Sequence, residues 1–275
     1  MAGMTLPAPL PVGSPGRKVP SAQRGMPASV PARRPGRVMT GWGGPPAGVV
    51  WAEATLLGRL SPPVRAVLLD LGTGVVFPIG RRIIREGMPG ETAYLLLTGC
   101  VKVLGNDGGG QEPLLGVRIS GDMVGEMAVL SGRPRSATIT TCAVTSARAI
   151  GGGELKAFLR DYPEAALEIT HMISDRLRWA NERWVDFVAL DARTRVSRVI
   201  LNLAETYGRD TREGRDLGAP MTQQEIASLA GVKLASAEKA LHALEEAGVV
   251  RRGYRSVVVV DLPGLRAAAR PTAPP

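Results

Sequence analysis

The run from Gly125 to Thr138 (Gly-Glu-Met-Ala-Val-Leu-Ser-Gly-Arg-Pro-Arg-Ser-Ala-Thr) gathers the residue types that a phosphate ester with a free ribose hydroxyl would require. Gly125 lets the backbone approach a ligand with no Cβ in the way. Glu126 supplies a hydrogen-bond acceptor one residue on, and Met127 follows it. Arg135 offers a planar fork for a pair of phosphate oxygens. Ser136 adds a hydroxyl and, with Ala137, backbone N–H groups that can form an anion-binding nest. The plain alternative is a glycine-punctuated β-turn with an incidental surface arginine.

Such a cluster needs a rigid frame, and the chain around it has the texture of one. Between Val75 and Ile150 short apolar runs are cut by glycines at 80, 87, 90, 99, 105, 121, 125 and 132. Short strands broken by turn residues at these intervals predict a compact antiparallel barrel or sandwich. Before them, from Trp51 to Leu71, Leu56, Leu57, Leu60, Val64, Val67, Leu68 and Leu71 recur at helical spacing around a Ser61-Pro62 start signal. After them, Pro163 suits the first turn of a helix, and no Gly or Pro follows until Gly208. Ile173, Leu177, Ala180, Trp184 and Phe187 then repeat at the 4-3-4-3 spacing of a coiled-coil seam. A parallel partner helix would cover that seam, which predicts a homodimer; packing against the chain's own barrel is the alternative.

A second constellation lies near the C-terminus. Thr222-Gln223-Gln224-Glu225 reads as a capping box opening a short helix, and Gly231 supplies a tight turn. A second helix is predicted over about Leu234 to Ala247, with Ala237, Leu241 and Leu244 inward and Gly248 ending it. The segment 249–260, with Arg251, Arg252 and Arg255 among its valines, reads as a basic hairpin. Two helices about a glycine turn, followed by such a hairpin, make a winged helix-turn-helix. Its second helix would enter a DNA major groove with Lys233, Ser236, Glu238 and Lys239 toward base edges. The three wing arginines would face backbone phosphates, and Thr222 and Gln223 complete the candidate DNA-binding set. A small helical domain used for protein contact is the alternative.

The Gly125–Ala137 run resembles the phosphate-binding cassette of the cyclic-AMP receptor protein (CRP/FNR-type) family of bacterial transcription regulators. The segments Phe77–Gly87 and Ala93–Gly99 are similar to the opening strands of that family's cyclic-nucleotide-binding domain, and the likeness runs from about residue 52 to 262. It implies an α+β fold: an N-terminal β-roll, a long dimerisation helix and a C-terminal winged helix-turn-helix. The expected boundaries are a disordered Pro/Gly/Arg-rich tail over 1–45, the β-roll over 46–162 and dimerisation and hinge helices over 163–207. The DNA-binding domain would span 208–262 and a C-terminal tail 263–275. Asp191 sits where the family breaks its long helix.

Carried over by resemblance, Glu126 accepts from the ribose 2′-hydroxyl while Arg135 and Ser136 hold the cyclic phosphate. The family grips the purine with a Thr-Ser or Thr-Asn pair on the long helix, the second residue reaching across the dimer. Here the pair is Ala180-Asn181, so Asn181 can read a base edge and Ala180 cannot. Cyclic AMP is the first expectation; cyclic GMP or another nucleotide, or a pocket that has lost its ligand, stay open. At the recognition helix the best-known member's Arg-Glu pair and following Arg correspond to Leu234, Ala235 and Lys239, so its operator is not implied. The family's partners are double-stranded DNA and a cyclic nucleotide, with RNA polymerase added to the expected set.

Composition bounds the rest. The 275 residues carry a formal charge of +9, but residues 1–45 contribute Arg17, Lys18, Arg24, Arg33, Arg34 and Arg37 with no acid. The remainder is nearly balanced, so net charge says little about DNA. With nine Pro and eight Gly, that opening segment lacks the apolar periodicity to offset its ordering entropy. A true start at Met26 or Met39 is an equal reading. Cys100 and Cys142 stand far apart, which predicts neither a disulfide framework nor a metal site. No apolar run approaches the roughly 18 residues of a membrane span, and no secretory signal opens the chain. These features predict a cytoplasmic protein. The two histidines, His171 and His242, fall on predicted helices without the partners that nucleophilic or metal chemistry needs, and no P-loop or dinucleotide fingerprint occurs. An enzyme is not expected, and neither is a cofactor.

Overall fold

The computed structural model describes residues 51–271. The expected tail over 1–45 lies outside them, as does the extreme C-terminus. Thr55 caps α1 (Leu56–Arg59) by accepting from the Gly58 amide, and α2 (Pro62–Asp70) restarts at two prolines, whose missing N–H groups cost nothing in a first turn. Helical spacing through 51–71 therefore becomes two helices, broken at Leu60 and Ser61.

Eight strands follow: β1 (Thr73–Phe77), β2 (Arg82–Ile84), β3 (Thr92–Thr98), β4 (Cys100–Leu104), β5 (Leu114–Ile119), β6 (Met123–Val124), then β7 (Thr138–Thr141) and β8 (Thr145–Gly151). They form two antiparallel sheets in the orders β1-β8-β3-β6 and β2-β7-β4-β5. Between the sheets lie Phe77, Ile84, Leu96, Val101, Val124, Ile139 and Ala147. Alternation along the strands sends one side chain into this core and the next out of it. Helix α3 (Glu126–Ser131) starts at Gly125 inside the cassette and ends at Gly132, both glycines at positive φ. The sequence reading did not anticipate it, because six residues are too few to display a helical period.

Helix α4 (Gly152–Asp161), also unanticipated, leads into α5 (Pro163–Ala189), 27 residues that extend about 40 Å at the usual ~1.5 Å rise. Asp191 caps α6 (Ala192–Tyr207) by accepting from the Thr194 amide, so the expected break falls there. A small hairpin, β9 (Asp210–Thr211) and β10 (Gly214–Arg215), precedes α7 (Gln223–Ala230) and α8 (Leu234–Glu246). The strands β11 (Val250–Gly253) and β12 (Ser256–Val259) pair antiparallel and join that hairpin in one sheet. Residues expected to begin a C-terminal tail instead form α9 (Leu262–Ala268), capped by Asp261, with Leu265 fully buried beside Val196, Ile200, Leu241 and Leu244. The two prior clues were the Asp261 cap and Pro263 in the first turn.

Two further features are not visible in the sequence. Cys100 and Cys142 lie directly opposite one another, the Cys142 amide donating to the Cys100 carbonyl at 3.0 Å, and both are free thiols. Ile173, the first residue of the expected seam, is half-buried, packing with Met172 and Ile169 against the cluster beneath α1 and α2. The exposed apolar face of α5 begins one turn later, with Leu177 at 61%, Trp184 at 69% and Val188 at 74% exposure.

Candidate functional site

Arg135 is the fixed point of the cassette. Its side chain is buried between two glycines: a Cβ on Gly90 would lie 1.9 Å from its Nε, and one on Gly125 would lie 2.6 Å from its Nη1. Gly125 also sits at φ 81°, where side chains are strained. Nη1 donates to the Gly125 carbonyl at 2.8 Å and Nη2 to the Thr92 carbonyl at 2.7 Å. No carboxylate pairs with this guanidinium among the described residues, so its charge stands uncompensated at the cavity wall. Burial pulls its pKa below the usual guanidinium value, with Tyr94 and Glu126 acting the other way. Gly90 had been read only as a strand breaker; its second role depends on a residue 45 positions away, which no local pattern reveals.

Glu126, on the first turn of α3, is 2% exposed. Its Oε1 accepts from Arg176 Nη1 of α5 at 2.7 Å. The same guanidinium reaches the Met123 carbonyl at 3.1 Å and Asp122 Oδ1 at 3.4 Å. Burial works against the Arg176 charge, but Glu126 and Asp122 outweigh it and hold the group above its ordinary value. Arg176 was missed from sequence, since one arginine among several on a long helix carries no mark of its own.

These groups line a cavity of about 130 Å³ with Ile84, Val103, Val124, Met127, Ser136, Ala137, Ile139 and Arg118. Ser136 and Met127 stand at its exposed rim. Arg118 closes the rear beside Tyr207 at the end of α6 and donates to the Val117 carbonyl at 2.6 Å; burial, then the neighbouring Arg176, lower its pKa. Six of the seven sequence-predicted ligand residues thus come together. Asn181 does not: it lies in a separate groove on α5 with Leu177, Val185 and Arg198. Chemically the cavity offers fixed cations, amides and one carboxylate, which suits an anion carrying a hydroxyl.

The C-terminal constellation is built as the sequence indicated. Thr222 accepts from the Glu225 amide at 3.2 Å and Glu225 accepts from the Thr222 amide at 2.8 Å, completing the capping box. Gly231 at φ 62° turns the chain into α8. Lys233, Glu238 and Lys239 are exposed along its beginning and Ser236 half-exposed, while Gln223 is half-buried at the start of α7. The hairpin arginines are less free than expected. Arg251 pairs with Glu213, and Arg252 donates to Glu245 at 2.6 Å, which holds that carboxyl below its usual range. Arg255 occupies the turn at φ 51°, half-buried, beside Tyr254 at 94% exposure.

On α5, Ala180 and Trp184 face outward as a seam requires. Phe187 is exposed but leans on its own chain, with the Arg195 guanidinium 5.2 Å from its ring centre. Trp184 stacks on it at 6.1 Å. No helix among the described residues is long and apolar enough to cross a membrane.

Comparison with known proteins agrees with this geometry. Residues 75–162 match the family described as "Cyclic nucleotide-binding domain" and residues 194–268 the family described as "Crp-like helix-turn-helix domain". The "CRP-like cAMP-activated global transcriptional regulator" of Mycobacterium tuberculosis is 30% identical over 223 residues, 80% of this chain and 99% of that protein. The "Cyclic AMP receptor protein" of Thermus thermophilus is 31% identical over 185 residues, covering 67% and 82%. Among solved structures, the "c-di-GMP Responsive Global Regulator CLP" of Xanthomonas campestris superposes with a TM-score of 0.60 at 22% identity, over 72% of this chain and 99% of that one.

The ion cluster generates one expectation about stability. Replacing Arg176 by Met strands the buried Glu126 and Asp122 carboxylates, and urea unfolding at neutral pH should show a loss of about 3–5 kcal/mol.

Proposed function

This chain belongs to the CRP/FNR family of transcription regulators, proteins with a cyclic-nucleotide-binding domain and a helix-turn-helix rather than enzymes, and on that premise we propose that it is a homodimer whose grip on DNA is set by cyclic AMP. The observation that carries the ligand reading is Arg135, a buried guanidinium without a carboxylate partner. A cyclic phosphate would neutralise it, with Ser136 and the Ala137 amide adding donors and Glu126 accepting from the ribose hydroxyl. Arg135 has used only two N–H groups on carbonyls, so donors remain for the ligand. Among the described residues that line the cavity, Arg118 and Arg176 are the polar side chains left to meet a base once Glu126, Arg135 and Ser136 hold sugar and phosphate. Asn181, outside that cavity, would read the purine of the partner subunit's ligand if the α5 helices pair. The names of the two curated relatives favour cyclic AMP over the guanine dinucleotide named for the Xanthomonas protein.

The apolar face of Leu177, Trp184 and Val188 supports dimerisation, since a partner helix would remove it from water. Lys233, Ser236, Glu238 and Lys239 would then address base edges from the exposed start of α8. Thr222, Gln223 and the wing, with Tyr254 at its tip, would face phosphates. Among the described residues no carboxylate pairs with Arg255, whereas Arg251 and Arg252 must exchange theirs. A ligand shifts such a regulator only by binding one posture more tightly than the other.

Three measurements test this reading. Calorimetric titration of cyclic AMP into the Arg135→Ala variant should show affinity at least about tenfold below wild type, the loss of one charge-assisted contact; wild-type binding removes the assignment. Sedimentation velocity should find a dimer that Trp184→Glu converts to monomer. Lys239→Ala should weaken binding to DNA selected from a random pool by about 1–3 kcal/mol, with nucleotide affinity unchanged.

A further inference from the structure

The sheet β2-β7-β4-β5 is used on both faces. On its inner side Val101 and Ile139 fill the barrel, and Val103 and Arg118 line the cavity. On its outer side Cys100, Lys102 and Leu104 of β4, with Leu114, Val117 and Ile119 of β5, all meet residues C-terminal to α5. Leu114 and Val117 belong to the same apolar cluster as Ile226, Leu241 and Leu244 of the helix-turn-helix. The Leu114 amide donates to Ser228 Oγ at 2.8 Å. Arg183 of α5 closes the edge, donating to the Leu115 carbonyl at 3.0 Å and lying over the Trp179 ring at 4.1 Å.

In the middle of this contact is one ion pair. Lys102, 6% exposed, has its ammonium on Glu225 Oε1. Glu225 is the carboxylate of the α7 capping box, so Oε2 holds the start of α7 while Oε1 holds the barrel. Burial opposes the Glu225 charge, but Lys102 and Thr222 outweigh it and keep the carboxyl below its usual range. A lysine drawn this far from water is expensive without its partner. Apolar contacts alone would let α7 slide on the sheet, whereas a buried charge pair fixes one register. Lys102 and Val103 are successive residues of β4 and therefore point to opposite faces. A displacement of the strand by a ligand against Val103 moves the anchor of α7 directly.

We infer that Lys102 is a positioning residue for DNA binding, fastening the first helix of the helix-turn-helix to the back of the cavity wall so that β4 couples nucleotide occupancy to the seat of the recognition helix. This rests on the nucleotide-dependent DNA binding proposed above. In the fastened posture Lys233, Glu238 and Lys239 remain exposed, so the anchor does not obstruct the face meant for DNA.

The test compares the full-length wild type with Lys102→Met, Glu225→Gln and the double variant, using DNA selected by the wild type from a random pool. Gln at 225 preserves the capping box, so the helix-turn-helix keeps its fold. The quantity read is the factor by which saturating cyclic AMP changes DNA affinity. Each single variant should shrink that factor at least about fivefold, the low end of ordinary coupling, and the double variant should shrink it no further. The effect of DNA on cyclic AMP affinity, measured by calorimetry, must shrink by the same factor. A wild-type factor in the variants, with only a lowered melting temperature, assigns the pair to stability alone and overturns the inference. Cyclic AMP that binds wild type without changing DNA affinity overturns both the coupling and the regulatory reading. Failure of cyclic AMP to bind wild type is separately visible in the calorimetry and refutes the ligand assignment on which both depend.

Discussion

Removing a charge from water costs several kcal/mol unless a partner meets it at once. The arrangement here turns on where that cost is met. Arg176 is sunk between Glu126 and Asp122, so α5 cannot shift or rotate without exposing three ions to an apolar interior. This single guanidinium ties the long helix to the cassette and gives Glu126 one defined orientation. Arg135 takes the opposite course: held by carbonyls and given space by two glycines, it keeps its positive charge unmatched. One arginine is compensated by two carboxylates and its neighbour by none, and the proposed anion site rests on that contrast.

Much of this was legible in the chain because it depends on local chemistry. Capping boxes, turn glycines and helix-starting prolines act within four residues, and the α7 box and Pro163 appear where the pattern put them, while the break at Asp191 falls where the family resemblance put it. The cassette was legible because its members fall within thirteen residues. What escaped the reading shares the opposite property. Gly90 matters only because Arg135 crosses it, Arg176 only because α5 passes over Asp122 and Glu126, and the two cysteines meet only because β4 pairs with β7. Helix α3 was too short for periodicity, and so was α9, seven residues with Pro263 and Gly264 in its first turn.

The wing shows why charge counts mislead. Three arginines within five residues read as a phosphate-binding strip, yet Arg251 and Arg252 answer to Glu213 and Glu245, acids that lie outside the hairpin itself. Sequence reports the number of cations; folding decides how many are already spoken for. The same holds for the seam, where Ile173 keeps the heptad spacing and still belongs to the barrel's packing, because α5 lies on α1 over its first turns and stands clear only beyond them.

The double use of β4 has a consequence for how such a protein can change over time. A strand with one face toward solvent can accept substitutions there at little cost. β4 has no such face: Val101 and Val103 are committed inward, Cys100, Lys102 and Leu104 outward. Drift at any of these five positions disturbs either the barrel's filling or the docking of the helix-turn-helix, so tolerated replacements there will arrive in compensated pairs, one on the strand and one on whatever it touches.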